Sequence, residues 1–277
     1  MNTEANKTRE RILLDQSREH YDKMLEKFIS DYLRGNRRIL AAMEFAAGHC
    51  NAKSGALLDI GCGLGWSSQV FANTFPQLQV TGIDFSKVLI HAASEIFSDV
   101  PNLNFSCSDI TRNYPPAPTK YTAITLLDAY EHIPASSRTF VHQMLREILH
   151  PVQGRVILTC PSPKHQAWLA EHHPERLQPV DEVLYREDFE GLAEDLEAHL
   201  VYHSYKTVWR TDDYCHVIIA KDKQFMDRNT TGASLVIESR PARFRRIRRW
   251  NRAYAEPYAA YLLKKGVNKL RKLFPFE

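Results

Sequence analysis

Three carboxylates and three glycines are spaced along this chain so that they would meet at one edge of a sheet. Asp59-Ile60-Gly61-Cys62-Gly63-Leu64-Gly65 follows an apolar run and precedes an amphipathic stretch. Glycines in such a turn permit positive φ and a close backbone approach to a ligand, and the helix starting after Gly65 offers free N–H groups. The turn alone fits a nicotinamide or flavin nucleotide, or a tight strand-to-helix turn that binds nothing. The carboxylates narrow the choice. Asp59 can orient the loop or accept a hydrogen bond from a cationic amino group. Asp84, at the end of Gly82-Ile83-Asp84, can accept both hydroxyls of a ribose. Asp109, in Ser108-Asp109-Ile110, can accept from an exocyclic adenine amine. Three acidic strand ends suit a cationic ligand better than a pyrophosphate, and the third glycine falls one residue early for G-x-G-x-x-G.

These residues resemble the motif series of the class I S-adenosyl-L-methionine (SAM) dependent methyltransferases, of the small-molecule, methyltransferase domain 11/25 type. The turn resembles the family's D-x-G-x-G-x-G, Gly82-Ile83-Asp84-Phe85-Ser86 its ribose motif, Ser108-Asp109 its adenine motif, and Asp128-Ala129-Tyr130-Glu131-His132-Ile133 the motif after its fourth strand. The similarity covers residues 54–163 closely and the flanks by topology. It implies SAM as cofactor, held by Asp59, Gly61, Cys62, Gly63, Gly65, Asp84, Phe85, Ser86, Asp109, Ile110 and Asp128. It also implies a seven-stranded sheet whose last strand is antiparallel.

Methyl transfer from a sulfonium is an in-line displacement, so the protein must align the acceptor and remove its proton if it is a hydroxyl. His132 is the leading general base, because an unperturbed imidazole is mostly neutral at pH 7. His165, after Pro161-Ser162-Pro163, is the second choice. Tyr130, Glu131, Asp181 and Glu182 are candidates for the acceptor pocket. Asp128, Glu131, His132 and His165 together resemble the divalent site of small-RNA 2′-O-methyltransferases, yet no local spacing compels ligation, and no metal is expected.

Amino-directed nucleic-acid methyltransferases carry [Asn/Asp]-Pro-Pro-aromatic after strand four. Here Asn113-Tyr114-Pro115-Pro116 stands before that strand and in another order, so it reads as a stiff loop. A nucleic-acid acceptor is therefore disfavoured. A small hydroxyl-bearing metabolite is expected instead, such as a sugar, a glycolipid or a natural-product intermediate. The rivals are an RNA- or protein-directed enzyme recruited by the C-terminal tail and a SAM-binding subunit without catalysis.

The elements that must position these groups follow from periodicity. Apolar residues between Thr8 and Ala47 recur at helical spacing with a break at Gly35-Asn36, which predicts two helices. From residue 56 onward apolar and amphipathic segments alternate strictly: strands at 56–60, 79–83, 103–107, 121–127 and 155–160, helices at 66–75, 87–97 and 136–149. Such alternation implies parallel strands with right-handed crossovers, hence an α/β, Rossmann-like doubly wound sheet. A helix at 187–196 and strands at 199–206 and 214–220 complete it. The expected organisation is an N-terminal helical lid (1–50), a SAM-binding domain (51–222) with a cap loop at 161–185, a linker (223–239) and a basic amphipathic helical tail (240–277).

Composition fits a folded globular chain: 277 residues, 44% hydrophobic and 25% charged. Residues 240–277 hold twelve Lys/Arg against Glu256 and Glu277, so the tail carries +10 and the remainder −7 of the +3 total. Five scattered cysteines suggest neither a disulfide framework nor a zinc site. With no signal-like N-terminus and no long apolar run, a cytoplasmic protein is expected. In the tail Phe244, Ile247, Trp250, Tyr254, Tyr258 and Tyr261 recur at helical spacing among arginines. That stripe suits an anionic membrane surface, an RNA, a second subunit or the acidic body itself.

Overall fold

The computed structural model describes residues 3–50, 55–116, 120–223 and 233–260. Three helices come first: α1 (Thr3–Asp22), α2 (Leu25–Arg34) and α3 (Arg37–His49). The two expected helices are thus three. Gly35, at φ 82°, and the Asn36 cap produce the expected break. The additional break lies at Lys23-Met24, where Met24 N–H bonds to the Tyr21 carbonyl three residues back and tightens the last turn. No glycine or proline marks that site in the sequence.

The sheet follows: β1 (Gly55–Ile60), α4 (Trp66–Thr74), β2 (Leu78–Asp84), α5 (Lys87–Ile96), β3 (Leu103–Cys107), β4 (Ala123–Leu127), α6 (Arg138–Ile148) and β5 (Arg155–Pro161). After α7 (Pro163–His172) and α8 (Arg186–Asp195) come β6 (His199–Lys206) and β7 (Tyr214–Ala220). Seven strands stand in the order β3-β2-β1-β4-β5-β7-β6. All neighbours are parallel except β7, which runs antiparallel to both β5 and β6. Tyr121, expected in the fourth strand, makes only an isolated bridge to Leu149.

Strand residues alternate between two cores. Leu57, Val80, Ala123 and Ile157 pack under α2–α5, whereas Leu58, Ile124, Val156 and Leu158 pack with residues of α6 and α8. β1, β4, β5 and β7 bury both faces, which is why these segments read as largely apolar runs.

The expected cap loop at 161–185 contains α7. Ser162 caps it, its hydroxyl accepting from His165 N–H at 3.2 Å, with Pro163 in the first turn. Pro-Ser-Pro, which reads as a loop, is here a capped helix start. At the other end of the chain, α9 (Arg240–Trp250) and the helical residues 252–260 lie on α2 and α5. Ile247, Ala255 and Tyr258 are buried in the α2–α5 core, and Phe244, Trp250 and Tyr254 pack against it. The aromatic stripe of 240–260 is therefore covered by the body rather than presented to a membrane or an RNA. Tyr261 and the rest of the tail to 277 lie outside the described residues, as do 224–232 of the linker. No described helix is long and apolar enough to cross a membrane.

Candidate functional site

β1 ends in the glycine turn because three glycines accept conformations closed to other residues. An added Cβ would lie 2.6 Å from Ala129 Cβ at Gly61 (φ 70°), 2.6 Å from the Phe28 ring at Gly63 (φ 54°) and 2.4 Å from the Phe105 ring at Gly65 (φ 81°). Under this turn Asp59 is fully engaged. Its carboxylate accepts Ser67 and Ser68 hydroxyls at 2.6 Å each and the Thr125 hydroxyl at 2.7 Å. Asp59 therefore braces β1, α4 and β4 together, and it does not line the cavity above. Its bonds go to side chains of α4 and β4, and it does not stand where it is expected to meet a ligand amino group.

That cavity runs along the carboxyl ends of β1, β2 and β4. It is bordered by Gly61, Cys62, Asp84, Phe85, Asp109, Ile110 and Asp128, all expected around a cofactor. Gly63, Gly65 and Ser86, also expected there, are not among the residues that border it. Asp84 accepts Gly63 N–H at 3.0 Å and Ser86 N–H at 2.9 Å, so its carboxylate is locked to the glycine turn. Burial pushes its carboxyl up to about 6 against those two donors. Asp109 accepts the Thr111 hydroxyl at 2.6 Å and pairs with Arg18 of α1 at 3.2 Å. Asp128 sits at φ 54° and forms an ion pair with Arg38 of α3. Burial opposes the Arg38 charge, but Asp128 beside it holds the guanidinium above its ordinary range, with Tyr214 hydroxyl a second partner at 3.2 Å.

His132 also borders the cavity, at the end of the single 3-10 turn Tyr130–His132. Its Nδ1 lies 2.8 Å from the Val180 carbonyl oxygen. A carbonyl only accepts, so Nδ1 carries the proton and Nε2 keeps its lone pair. Burial lowers the ring's affinity for a second proton, and the imidazole is neutral at pH 7. Glu131 Oε1 stands 3.7 Å from Nε2, beyond hydrogen-bond reach, and burial followed by the Asp128 charge raises the Glu131 carboxyl well above the usual range.

Other expected residues point elsewhere. Tyr130 does not wall the cavity. Fully buried on the opposite face, its hydroxyl meets His142 Nε2 at 2.7 Å, and His142 Nδ1 meets Asp195 at 2.6 Å. His165 does not line the cavity either; it stacks beside Trp168 and Tyr214 on α7. Asp181 is taken up by Gln166 Nε2 at 2.6 Å and Gln178 N–H at 3.3 Å, while Glu182 contributes a backbone N–H to the Glu131 carbonyl at 2.8 Å. Neither carboxylate faces the cavity. Among the described residues no three His, Cys, Asp or Glu side chains gather as metal ligands.

Sequence reasoning missed the walls that α1–α3 supply. Tyr21 lies between the Phe85 ring (5.5 Å) and His132 (6.1 Å), with its hydroxyl bonded to Gln178. Met24, Phe28, Asp31 and Arg38 complete that side. Helical periodicity announces such residues only as one face of a helix.

Residues 57–152 match the family described as "Methyltransferase domain". A malonyl-[acyl-carrier protein] O-methyltransferase of Ilyobacter polytropus is 34% identical over 94 residues, covering 34% of this chain and 34% of that protein. A protein of the same description from Halalkalibacterium halodurans is 39% identical over 57 residues, covering 21% of each. The chain thus spans about a third or less of these curated relatives. Among solved structures, the plantazolicin methyltransferase BpumL with S-adenosylhomocysteine (SAH) superposes with TM-score 0.56 at 17% identity, covering 76% of this chain and 98% of that one. A TehB-like SAM-dependent methyltransferase of Corynebacterium glutamicum gives TM-score 0.51 at 16% identity, covering 73% and 98%. These last two share the fold. The matched region, about a third of the chain, is similar in sequence to that methyltransferase domain family.

Proposed function

We propose that this chain methylates an oxygen of a small hydroxyl-bearing acceptor, with His132 as general base. The reading rests on one observation: the Val180 carbonyl holds Nδ1–H, leaving an unprotonated Nε2 on a ring that borders the cofactor cavity. The donors present fit SAM. Asp84 would hold the ribose, Asp109 with Phe85 and Ile110 the adenine, and the Arg38–Asp128 pair offers opposite charges to an amino-acid zwitterion. When bound, SAM supplies a methyl group on a positively charged sulfur, open to attack by an oxygen. His132 Nε2 takes the acceptor's proton, and Leu14, Met24, Phe28 and Ile133 make the surroundings apolar enough to strengthen that transfer.

The curated relatives are named for malonyl-[acyl-carrier protein], which makes a carboxyl oxygen the competing acceptor. Asp31, Asp84, Asp109 and Asp128 border the cavity, and the cations near them, Lys27, Arg18 and Arg38, are each already paired with one of these carboxylates. A neutral hydroxyl suits that field better than an anionic carboxylate, and only a hydroxyl needs a base. The test is SAH release from SAM with fractionated metabolites, followed by mass identification of the product. Turnover in wild type but not in His132→Ala supports the reading. Equal turnover by both proteins, or a methyl ester as product, would overturn it.

A further inference from the structure

The last turn of α2 has carbonyls that its own helix cannot satisfy. The Asp31 carbonyl is taken by Gly35 N–H at 2.9 Å, but the next two are served from the far end of the chain. Arg243 Nη1 donates to the Tyr32 carbonyl at 2.5 Å, and the Tyr258 hydroxyl donates to the Leu33 carbonyl at 3.1 Å. A guanidinium at a helix C-terminus also faces the negative end of the helix dipole. The Arg243 side chain is buried against two rings, 5.7 Å from Tyr32 and 5.3 Å from Trp66. Trp66 is the first residue of α4, directly after Gly65, and borders the cofactor cavity.

The neighbouring contacts extend this clamp. Glu238 accepts the Tyr32 hydroxyl at 2.7 Å and Arg246 Nη2 at 2.6 Å. Arg246 in turn donates to the Ile96 carbonyl at the end of α5 at 2.9 Å. The C-terminal segment thus grips the end of α2, the start of α4 and the end of α5. From α2 come Phe28 and Asp31 of the cavity wall, and Arg38 follows at the start of α3.

We propose that residues 238–258 form a strap that caps α2 from the far end of the same chain and holds it against the glycine turn, with Arg243 the positioning residue for cofactor binding. This rests on the cavity being the SAM site. Arg243 touches no ligand; it acts through Tyr32 and Trp66. Arg243, Arg246 and Arg249 of this segment are engaged within the chain, by the helix-end carbonyls of α2 and α5 and by Glu238 and Asp99.

The test uses the full chain and SAH as probe. Calorimetric titration of Arg243→Ala should show affinity weakened about tenfold, the loss expected for a charged hydrogen bond. Amide exchange should accelerate in residues 25–38 and not in β1 or β4, and Arg243→Lys, which keeps charge and donor, should recover most of the affinity. If Arg243→Ala does not fold, Glu238→Gln carries the test, since it leaves Arg243 in place and loosens its neighbours Tyr32 and Arg246. Wild-type affinity in the folded variant, or exchange raised equally throughout the sheet, would sink the strap. Failure of the wild-type protein to bind SAH would instead refute the cofactor reading itself.

Discussion

His132 Nδ1 and the Val180 carbonyl oxygen lie 2.8 Å apart, although 48 residues separate them. One contact sets the tautomer of the ring and ties the loop after β4 to the segment after α7. Replacing His132 with Ala should lower turnover by about 10²–10⁴-fold, the usual worth of a general base, and leave SAH affinity unchanged. Because burial lowers the imidazole's proton affinity, the acid limb of kcat should fall below the ordinary histidine value of about 6.5. A limb at or above that value would remove His132 from the role.

Asp84 predicts an acid limb for SAH affinity as well, displaced upward rather than downward from the ordinary value of its group. Its carboxyl, pushed up to about 6, is ionised above that pH, where it would accept the ribose hydroxyls of the proposed cofactor best. SAH affinity should therefore weaken as pH falls through 6, and Asp84→Ala should weaken it about 10–100-fold at pH 8, for charge-assisted bonds worth roughly 1.5–3 kcal/mol. Titration calorimetry at pH 5.5 and 8 measures both, and a pH-independent affinity would contradict the assignment.

Asp59 and Tyr130 should behave as structural residues. Asp59→Ala strands three buried hydroxyls, each at about 1–3 kcal/mol, and should lower Tm sharply. Tyr130→Phe breaks the bond to His142 and should cost about 1 kcal/mol in chemical denaturation without changing SAH affinity. A Tyr130→Phe protein of full stability but altered acceptor KM would restore Tyr130 to the acceptor wall.

Stability should also fall in acid through His216. It is 6% exposed against Phe45, and burial depresses its folded pKa to about 4. The unfolded chain takes up its proton near 6.5, so this histidine's contribution is present above that pH. It is lost as pH drops from 6.5 through 4, by roughly 3 kcal/mol in all. Denaturation midpoints of wild type and His216→Phe, compared at pH 7.5 and 4.5, should show the variant with the flatter dependence.

Much of this was legible in the sequence, because local chemistry fixed it. Glycines that need positive φ, carboxylates ending apolar runs, and the alternation of periods two and 3.6 placed β1 to β5 to within a residue or two and set Gly61, Asp84 and Asp109 around one cavity. Those features act over a few residues, where spacing alone is informative.

Tertiary structure decided which way side chains of one motif point. In Asp128-Ala129-Tyr130-Glu131-His132, a 3-10 turn sends Tyr130 to the α6–α8 core and His132 to the cavity, and no local pattern encodes that division. It likewise spent Asp59 on hydroxyls from α4 and β4, brought Arg38 to Asp128 across 90 residues of chain, and gave Arg243 to the carbonyl of Tyr32. Such partners are chosen by desolvation: a buried charge or carbonyl must be satisfied by whatever group the packed fold brings within reach, however distant in sequence.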